Sequence, residues 1–279
     1  MLWPLQRRRE RLKLVIQARL EIILKQNENS VDDAISDVLD IGFWLREVLD
    51  KNIPISDIAE YIVGLLFAAH KNPALGAAQS YLFLQEYGSE RIRAKCEEEA
   101  AILVSKKMSI KWSEFKSSIP TLRRSCLESL RLTAHSIGGL RTAQKDLTVL
   151  IKSGFERDAN TKSKVIKIPK GSSVGFAHIT SSLDTSIWGK DAATFDSSLS
   201  RYAEETYADD YKFTTFSHGI HKCPGRDLSM IHLTMTVAFL LKEYEVKLPE
   251  KIPPLDFERA TLAQREGAVM VSITRRQHP

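Results

Sequence analysis

The sequence has few cysteines and no long apolar runs. Its 279 residues include only Cys96, Cys126 and Cys223, which cannot all pair with one another. This usage is typical of a reducing compartment and excludes a disulfide-stapled secreted scaffold. The longest apolar runs, such as 62–69 and 236–241, are far shorter than the roughly 18 residues that a membrane-spanning helix needs. We therefore predict no membrane-spanning helix.

Targeting and charge signals are also weak. The first nine residues lack the apolar core and the cleavage site of a secretory signal peptide. The net charge of +5, from 40 Lys and Arg against 35 Asp and Glu, is too small to indicate a nucleic-acid partner. With 43% hydrophobic and 27% charged residues, the composition excludes disordered, collagen-like and coiled-coil classes. We expect a soluble, intracellular, globular chain.

Apolar periodicity predicts helices in the first half of the chain. We expect amphipathic helices over about 7–26 and 31–49, followed by a helix over about 56–87 that is apolar on all sides. A helix of that kind belongs in the middle of a protein. A charged surface helix is predicted over 89–106, and a proline-initiated helix over about 118–132.

After Gly138 and Gly139 the sequence pattern changes from helical periodicity to short β-branched stretches. Three short β-branched stretches, separated by turns rich in glycine and proline, predict a small antiparallel sheet over about 146–178. These stretches are 146–151, 164–168 and 172–177. A final helix is expected over about 226–244. The predicted fold class is therefore mainly α with small β-sheets (α+β).

The loop 216–226, Phe-Ser-His-Gly-Ile-His-Lys-Cys-Pro-Gly-Arg, carries the most chemistry. In it Cys223 stands between Gly219 and Gly225, directly before the final helix. Glycine permits left-handed turns and close approach of the backbone to a flat partner. The start of a helix adds partial positive charge, which stabilises the thiolate form that ligates metals.

Several interpretations of this loop are compatible with its residues. Cys223 is either a thiolate ligand or an inert buried thiol. Together with His218 and His221 it would be a partial zinc site, although no fourth ligand stands at the usual spacing. His221 is either a donor to an anionic group or a solvated loop residue. Phe216 is placed to shield the sulfur.

The order Phe-x-x-Gly-x-His-x-Cys-x-Gly resembles the haem-binding loop of the haem-thiolate monooxygenases, the cytochrome P450 superfamily. The resemblance implies that haem (iron protoporphyrin) is the cofactor, with Cys223 as axial ligand of its iron. His221 would contact a haem propionate, and Phe216, Gly219 and Gly225 would complete the cofactor-binding loop. Thiolate ligation pushes electron density onto the iron and favours O–O cleavage.

A second motif, Glu128-x-x-Arg131, lies on the helix predicted after Pro120. Positions i and i+3 share a helix face, so the two charges can meet. Alone, such a pair is usually an exposed salt bridge of small value. The resemblance implies instead a buried structural triad on the proximal side of the haem, completed by Arg201. Arg141 matches a propionate-binding arginine of the family, with a solvated loop arginine as the alternative.

The central helix carries a third match, over 68–74. The resemblance places here a small-residue groove followed by an acid and a threonine. Ala69 keeps the groove, whereas Lys71 replaces the acid and Asn72 the threonine, so ordinary proton delivery is in doubt, although water can relay protons. Pro73 frees a backbone carbonyl and is expected to kink or widen the helix; a packed helix with an incidental kink is the alternative. Ala69 and Asn72 are the candidate catalytic residues.

The resemblance covers the chain from Arg7 to its end. It implies a single cytochrome P450-like domain over 1–279, truncated at its N-terminus. The implied enzyme is a monooxygenase that inserts one oxygen atom from O2 into an apolar organic substrate, sterol-like or a secondary metabolite. NADPH would supply electrons through a partner flavoprotein reductase, which Lys222 and Arg226 are candidates to dock.

Two further functions stay open. Asn72 favours an isomerase or a peroxide-using enzyme, and the absence of the N-terminal part of the family fold favours an inactive truncated pseudoenzyme. A full-length eukaryotic relative is expected at the endoplasmic reticulum membrane, where a membrane surface would be a further partner. No nucleic-acid partner is expected.

Overall fold

The computed structural model describes residues 3–27, 53–105, 115, 117–133, 139–152, 163–198, 212–256 and 264–277. The helix predicted over 31–49 and the candidate Arg201 lie outside these ranges. By the pattern of its contacts the chain divides into two compact units, residues 1–71 and 72–279. The structure is mainly helical with small antiparallel sheets, which confirms the predicted fold class.

The first unit contains α1 (Trp3–Asn27) and the beginning of α2 (Ile55–Tyr87). A small apolar core forms where Leu20 of α1 meets Ile58 and Ala59 of α2. At the edge of this core, Glu60 forms ion pairs with Arg9 and Lys13. These contacts fix α1 against the first turns of α2.

The middle of α2 is exposed, although this helix is apolar on all sides. Leu65, Leu66 and Phe67 are 47%, 50% and 69% exposed. Enclosing such a helix requires surfaces from other segments, and α2 is buried near Ile58, at Pro73 and over much of its C-terminal part from Gly76 onward. The helix continues without a break through the proline at position 73.

The core of the second unit lies between α3 (Glu90–Ser105), α4 (Pro120–Thr133) and α7 (Arg226–Glu243), with buried residues of the C-terminal part of α2. α3, predicted as a charged surface helix, exposes its charged face and buries the other. Residues at the spacing of Cys96, Ala100 and Leu103 form an apolar face that is fully buried. On α4, every residue from 125 to 133 is buried.

Small antiparallel ladders complete the second unit. The strands are β1 (Arg141–Thr142), β2 (Leu147–Lys152), β3 (Ser163–Ile168), β4 (Ser173–Val174), β5 (Tyr244–Lys247), β6 (Leu255–Asp256), β7 (Gln264–Arg265) and β8 (Ser272–Arg275). They pair as β1 with β4, β2 with β3, β5 with β8 and β6 with β7.

The single sheet predicted over 146–178 is therefore two separate ladders, which corrects the prediction. β2 and β3 form a hairpin, and the third predicted stretch pairs with β1 instead. The turn after β3 explains the change of partner. Gly171 adopts a left-handed φ of 85° and donates its N–H to the carbonyl of Ala143, whose own N–H donates to Ser172.

Two short helices, α5 (His178–Ser182) and α6 (Thr185–Trp188), follow β4. Asp184 caps α6 by accepting a hydrogen bond from the N–H of Ser186 at 2.8 Å. In the described part of the chain, no helix combines the length and the apolarity needed to cross a membrane.

Candidate functional site

The cysteine loop is a series of tight turns. The N–H of Ser217 donates to the carbonyl of Thr214, and the N–H of Cys223 donates to the carbonyl of Phe216, both at 2.8 Å. Gly219 has a left-handed φ of 66°, the conformation for which glycine was predicted there. Ser217 has a left-handed φ of 57° despite its side chain, at a cost of about 1–2 kcal/mol.

The loop leads directly into the N-terminus of α7. Gly225 is the N-cap residue, with a φ of −90°, so its backbone conformation does not require glycine. The space beside its Cα is open, because a side-chain carbon at this position would have only Ser229 Oγ nearby, 4.0 Å away. Cys223 is only partly buried and stands three residues before α7. Cys223 therefore stands close in sequence to a helix start, which carries partial positive charge.

The aromatic and imidazole groups of the loop take different positions. Phe216 packs against the apolar core, with its ring centroid 6.3 Å from that of the buried Phe213. His218 places Nε2 3.0 Å from the carbonyl oxygen of Phe213. His221 is exposed at the end of the short 3-10 turn Gly219–His221. Among the residues described, no three His, Cys, Asp or Glu side chains converge as a metal site, so the zinc interpretation has no ligand set there.

The Glu128–Arg131 pair is completely buried, with both side chains 0% exposed. Arg131 donates from Nε to Oε2 at 2.8 Å and from Nη2 to Oε1 at 2.7 Å, a two-point contact. Its Nη1 donates to the carbonyls of Ser182 and Ala192. Glu128 Oε1 also accepts the N–H of Asp196 at 2.9 Å. The pair thus fixes two later segments of the chain onto α4.

Further contacts connect this pair to the cysteine loop. The guanidinium of Arg131 stacks 4.8 Å from the ring of Trp188, whose Nε1 donates to the carbonyl of Ser181 at 3.0 Å. Ser181 Oγ lies at hydrogen-bond distance, 3.0 Å, from Thr214 Oγ1. The carbonyl of Thr214 accepts the first turn bond of the loop, from Ser217. A continuous series of contacts therefore runs from the buried pair to the cysteine loop.

The remaining predicted site residues lie elsewhere. Arg141 is in β1 and half-buried; its Nη1 donates to the carbonyl of Leu140 at 2.9 Å, and the guanidinium covers Gly139. Ala69 and Asn72 are both exposed on α2 and belong to different compact units. Asn72 belongs to the same unit as Cys223, whereas Ala69 does not.

Sequence reasoning missed three residues of this region. Trp188 and Ser181 link the buried pair to the loop, and no feature of the neighbouring sequence predicts these contacts. Glu99 on α3 is 2% exposed, and its carboxylate accepts the N–H groups of Thr121 and Leu122 at 3.1 and 2.8 Å. A signal for Glu99 existed, because it lies at helical spacing among the buried residues of α3.

Replacing Glu128 by Ala tests the buried pair. We expect a loss of about 3–5 kcal/mol in the free energy of unfolding, because Arg131 is left as an uncompensated buried charge. Urea unfolding followed by near-UV circular dichroism measures it. The matched control is Glu98→Ala. Glu98 and Lys95 form an exposed pair with the same i, i+3 spacing, in which Lys95 Nζ lies 2.8 Å from Glu98 Oε2. The control should change stability by about 1 kcal/mol or less. Equal losses in both variants would contradict the structural role of the buried pair.

Alkylation of the native protein tests the three thiols. Burial raises the pKa of Cys96 and of Cys126 to about 12, so only about one part in ten thousand of either is thiolate at pH 8. Cys223 is partly exposed. We expect iodoacetamide at pH 8 to label Cys223 alone in the folded protein and all three cysteines in denaturant, as read by peptide mass spectrometry. Native labelling of Cys96 or Cys126 ahead of Cys223 would overturn this assignment.

Known proteins resemble this chain over most of its length. Residues 1–272 match the family profile described as Cytochrome P450. Cytochrome P450 734A4 of Oryza sativa subsp. japonica is 23% identical over 259 residues, which cover 89% of this chain and 45% of that protein. Beta-amyrin 11-oxidase of Glycyrrhiza uralensis is 26% identical over 230 residues, 78% of this chain and 40% of that protein.

A solved structure shows the same fold. The crystal structure of a cytochrome P450, CYP102L1, aligns with a TM-score of 0.60 at 20% identity and covers 81% of this chain and 47% of that one. The chain thus spans less than half the length of these relatives. Since the family profile matches nearly every residue, and the fold agrees, the chain belongs to the cytochrome P450 family.

Proposed function

We propose that this chain is the haem-holding part of a haem-thiolate monooxygenase. The enzyme inserts one oxygen atom from O2 into an apolar organic substrate, sterol-like or a secondary metabolite. NADPH supplies the electrons through a flavoprotein reductase. The observation that carries the proposal is the partly exposed Cys223, in a loop connected to the buried Glu128–Arg131 pair by a ring contact and hydrogen bonds.

The loop fits a flat apolar cofactor with an iron centre. A side-chain carbon added at Gly219 would have no other atom within 4 Å, so the backbone there is open to a partner. Ile220, the next residue, is 96% exposed, and Leu228 at the start of α7 is 62% exposed. Exposed apolar side chains around a thiol gain free energy when a large apolar group covers them. The residues present therefore fit haem.

Each residue has a role that follows from its own chemistry. Cys223 would hold the iron through its thiolate, the form of cysteine that ligates metals. When bound, haem with a thiolate ligand supplies the chemistry of O–O cleavage. His221 and Arg141 are the proposed donors to the haem propionates, to which arginine pairs well in geometry. Phe216 holds the loop on the core and limits access of water to the sulfur.

Asn72 and Ala69 are the proposed proton-handling residues, because of their positions in the sequence motif of the central helix. Asn72 carries an amide that donates and accepts hydrogen bonds but does not titrate, so it orders water rather than transferring its own proton. Ala69 keeps the helix surface small beside it. Lys222 is exposed, and Arg226, whose side chain is 26% exposed, contacts Asp227. These two basic residues are the proposed docking points for an acidic reductase surface.

Haem titration tests this function. Purified protein given haem, then reduced and exposed to carbon monoxide, should show a Soret band of the thiolate type. Cys223→Ala should remove that band, because no other described cysteine lies in an accessible loop. Cys96→Ala, which changes a buried thiol, is the control and should retain the band.

Two results would contradict the proposal. One is a folded wild-type protein without a thiolate-type band, which favours the inactive pseudoenzyme. The other is an unchanged band in Cys223→Ala. Circular dichroism of each variant establishes that it is folded before its spectrum is scored.

A further inference from the structure

The first turn of α4 has two N–H groups that its own helix cannot satisfy. The opening residues of a helix lack intrahelical acceptors. Pro120, the first residue of α4, has no N–H, and the N–H of Arg123 donates to the carbonyl of Ile119 at 3.0 Å. The N–H groups of Thr121 and Leu122 remain.

Glu99 of α3 accepts both of them. Its Oε1 lies 3.1 Å from the nitrogen of Thr121, and its Oε2 lies 2.8 Å from that of Leu122. Glu99 is 2% exposed, so water does not compete for these bonds. A carboxylate at a helix N-terminus is also stabilised by the helix dipole. One buried side chain therefore completes the start of α4 from another helix.

The far end of α4 carries the residues that need accurate placement. Glu128 and Arg131 must meet three fixed backbone groups, the carbonyls of Ser182 and Ala192 and the N–H of Asp196. At a rise of about 1.5 Å per residue, Arg131 stands about 13 Å along the axis from Leu122. Glu99 therefore influences that end through the helix itself.

We propose that Glu99 is a positioning residue for the Glu128–Arg131 pair. By holding the first turn of α4 against α3, it sets the axial position and rotation of the helix. Without these two bonds the first turn of α4 is held by apolar packing, around Ile119 and Leu122, which is less directional than hydrogen bonding. A small slide or rotation of the helix moves the carboxylate of Glu128 away from the N–H of Asp196. The proposal concerns the folded chain alone and does not depend on the haem function proposed above.

Amide hydrogen exchange in Glu99→Gln tests this proposal without haem. Glutamine keeps one acceptor oxygen and loses the charge, so the amides of Thr121 and Leu122 should exchange about tenfold faster, the factor expected for loss of a cap bond. The deciding probe is the amide of Asp196, at the other end of α4. We expect its exchange to rise by a similar factor relative to the amide of Val237, a core residue of α7.

Two controls separate positioning from general destabilisation. Leu233→Ala weakens the core through α7 and should accelerate Asp196 and Val237 together, leaving their ratio unchanged. Glu98→Gln alters an exposed neighbour on α3 and should change neither amide.

The outcome is read from one ratio. A higher ratio of Asp196 to Val237 exchange in Glu99→Gln, but not in the controls, supports the positioning role. An unchanged ratio overturns it, even where Thr121 and Leu122 exchange faster, since Glu99 would then be a local cap only. Glu99→Asp, which keeps the charge but is too short to reach both N–H groups, is scored in the same way should Glu99→Gln not fold.

Discussion

The buried Glu128–Arg131 pair is the interaction on which the second compact unit depends. Both groups are removed from water, which is unfavourable for a charge unless its hydrogen-bonding capacity is met. Here each group has partners beyond the other, in the backbone around Ser182, Ala192 and Asp196. Because these partners come from segments 50 to 70 residues away in sequence, the pair organises long-range structure rather than a single helix turn.

The cysteine loop inherits its position from this pair. It has little regular structure of its own beyond tight turns, and one of its residues, Ser217, is held in an unfavourable left-handed conformation. Such a conformation persists where the surroundings determine it. The contacts through Trp188, Ser181 and Thr214 provide such surroundings. A rigid loop keeps a thiol in one place, as a metal ligand requires.

The sequence predicted best where structure is local. The helices α2, α4 and α7 were expected at 56–87, 118–132 and 226–244, since periodicity, Pro120 and Gly225 act within a few residues. Family membership also follows from sequence, because the cysteine loop is a contiguous motif. Strand partners were less predictable, since the turn at Gly171 sends β4 to β1 rather than to the adjacent hairpin.

Contacts between distant segments explain the remaining differences. The role of Glu99 depends on α4 lying across α3, which no window of α3 contains. Likewise, an apolar helix predicts an enclosing surface but not which segment supplies it, and the middle of α2 is exposed. The placement of Arg201, outside the described residues, stays a prediction.

The buried Glu128–Arg131 pair holds the cysteine loop in place. The most direct test is the exchange rate of the Cys223 amide, which donates to Phe216, in Arg131→Lys. Lysine keeps the charge but cannot reproduce the planar two-point contact to Glu128 together with bonds to two carbonyls. In Arg131→Lys we expect the exchange of the Cys223 amide to accelerate more, relative to the wild type, than that of the core amides of α7. An unchanged Cys223 amide, alongside faster exchange at Asp196, would contradict it.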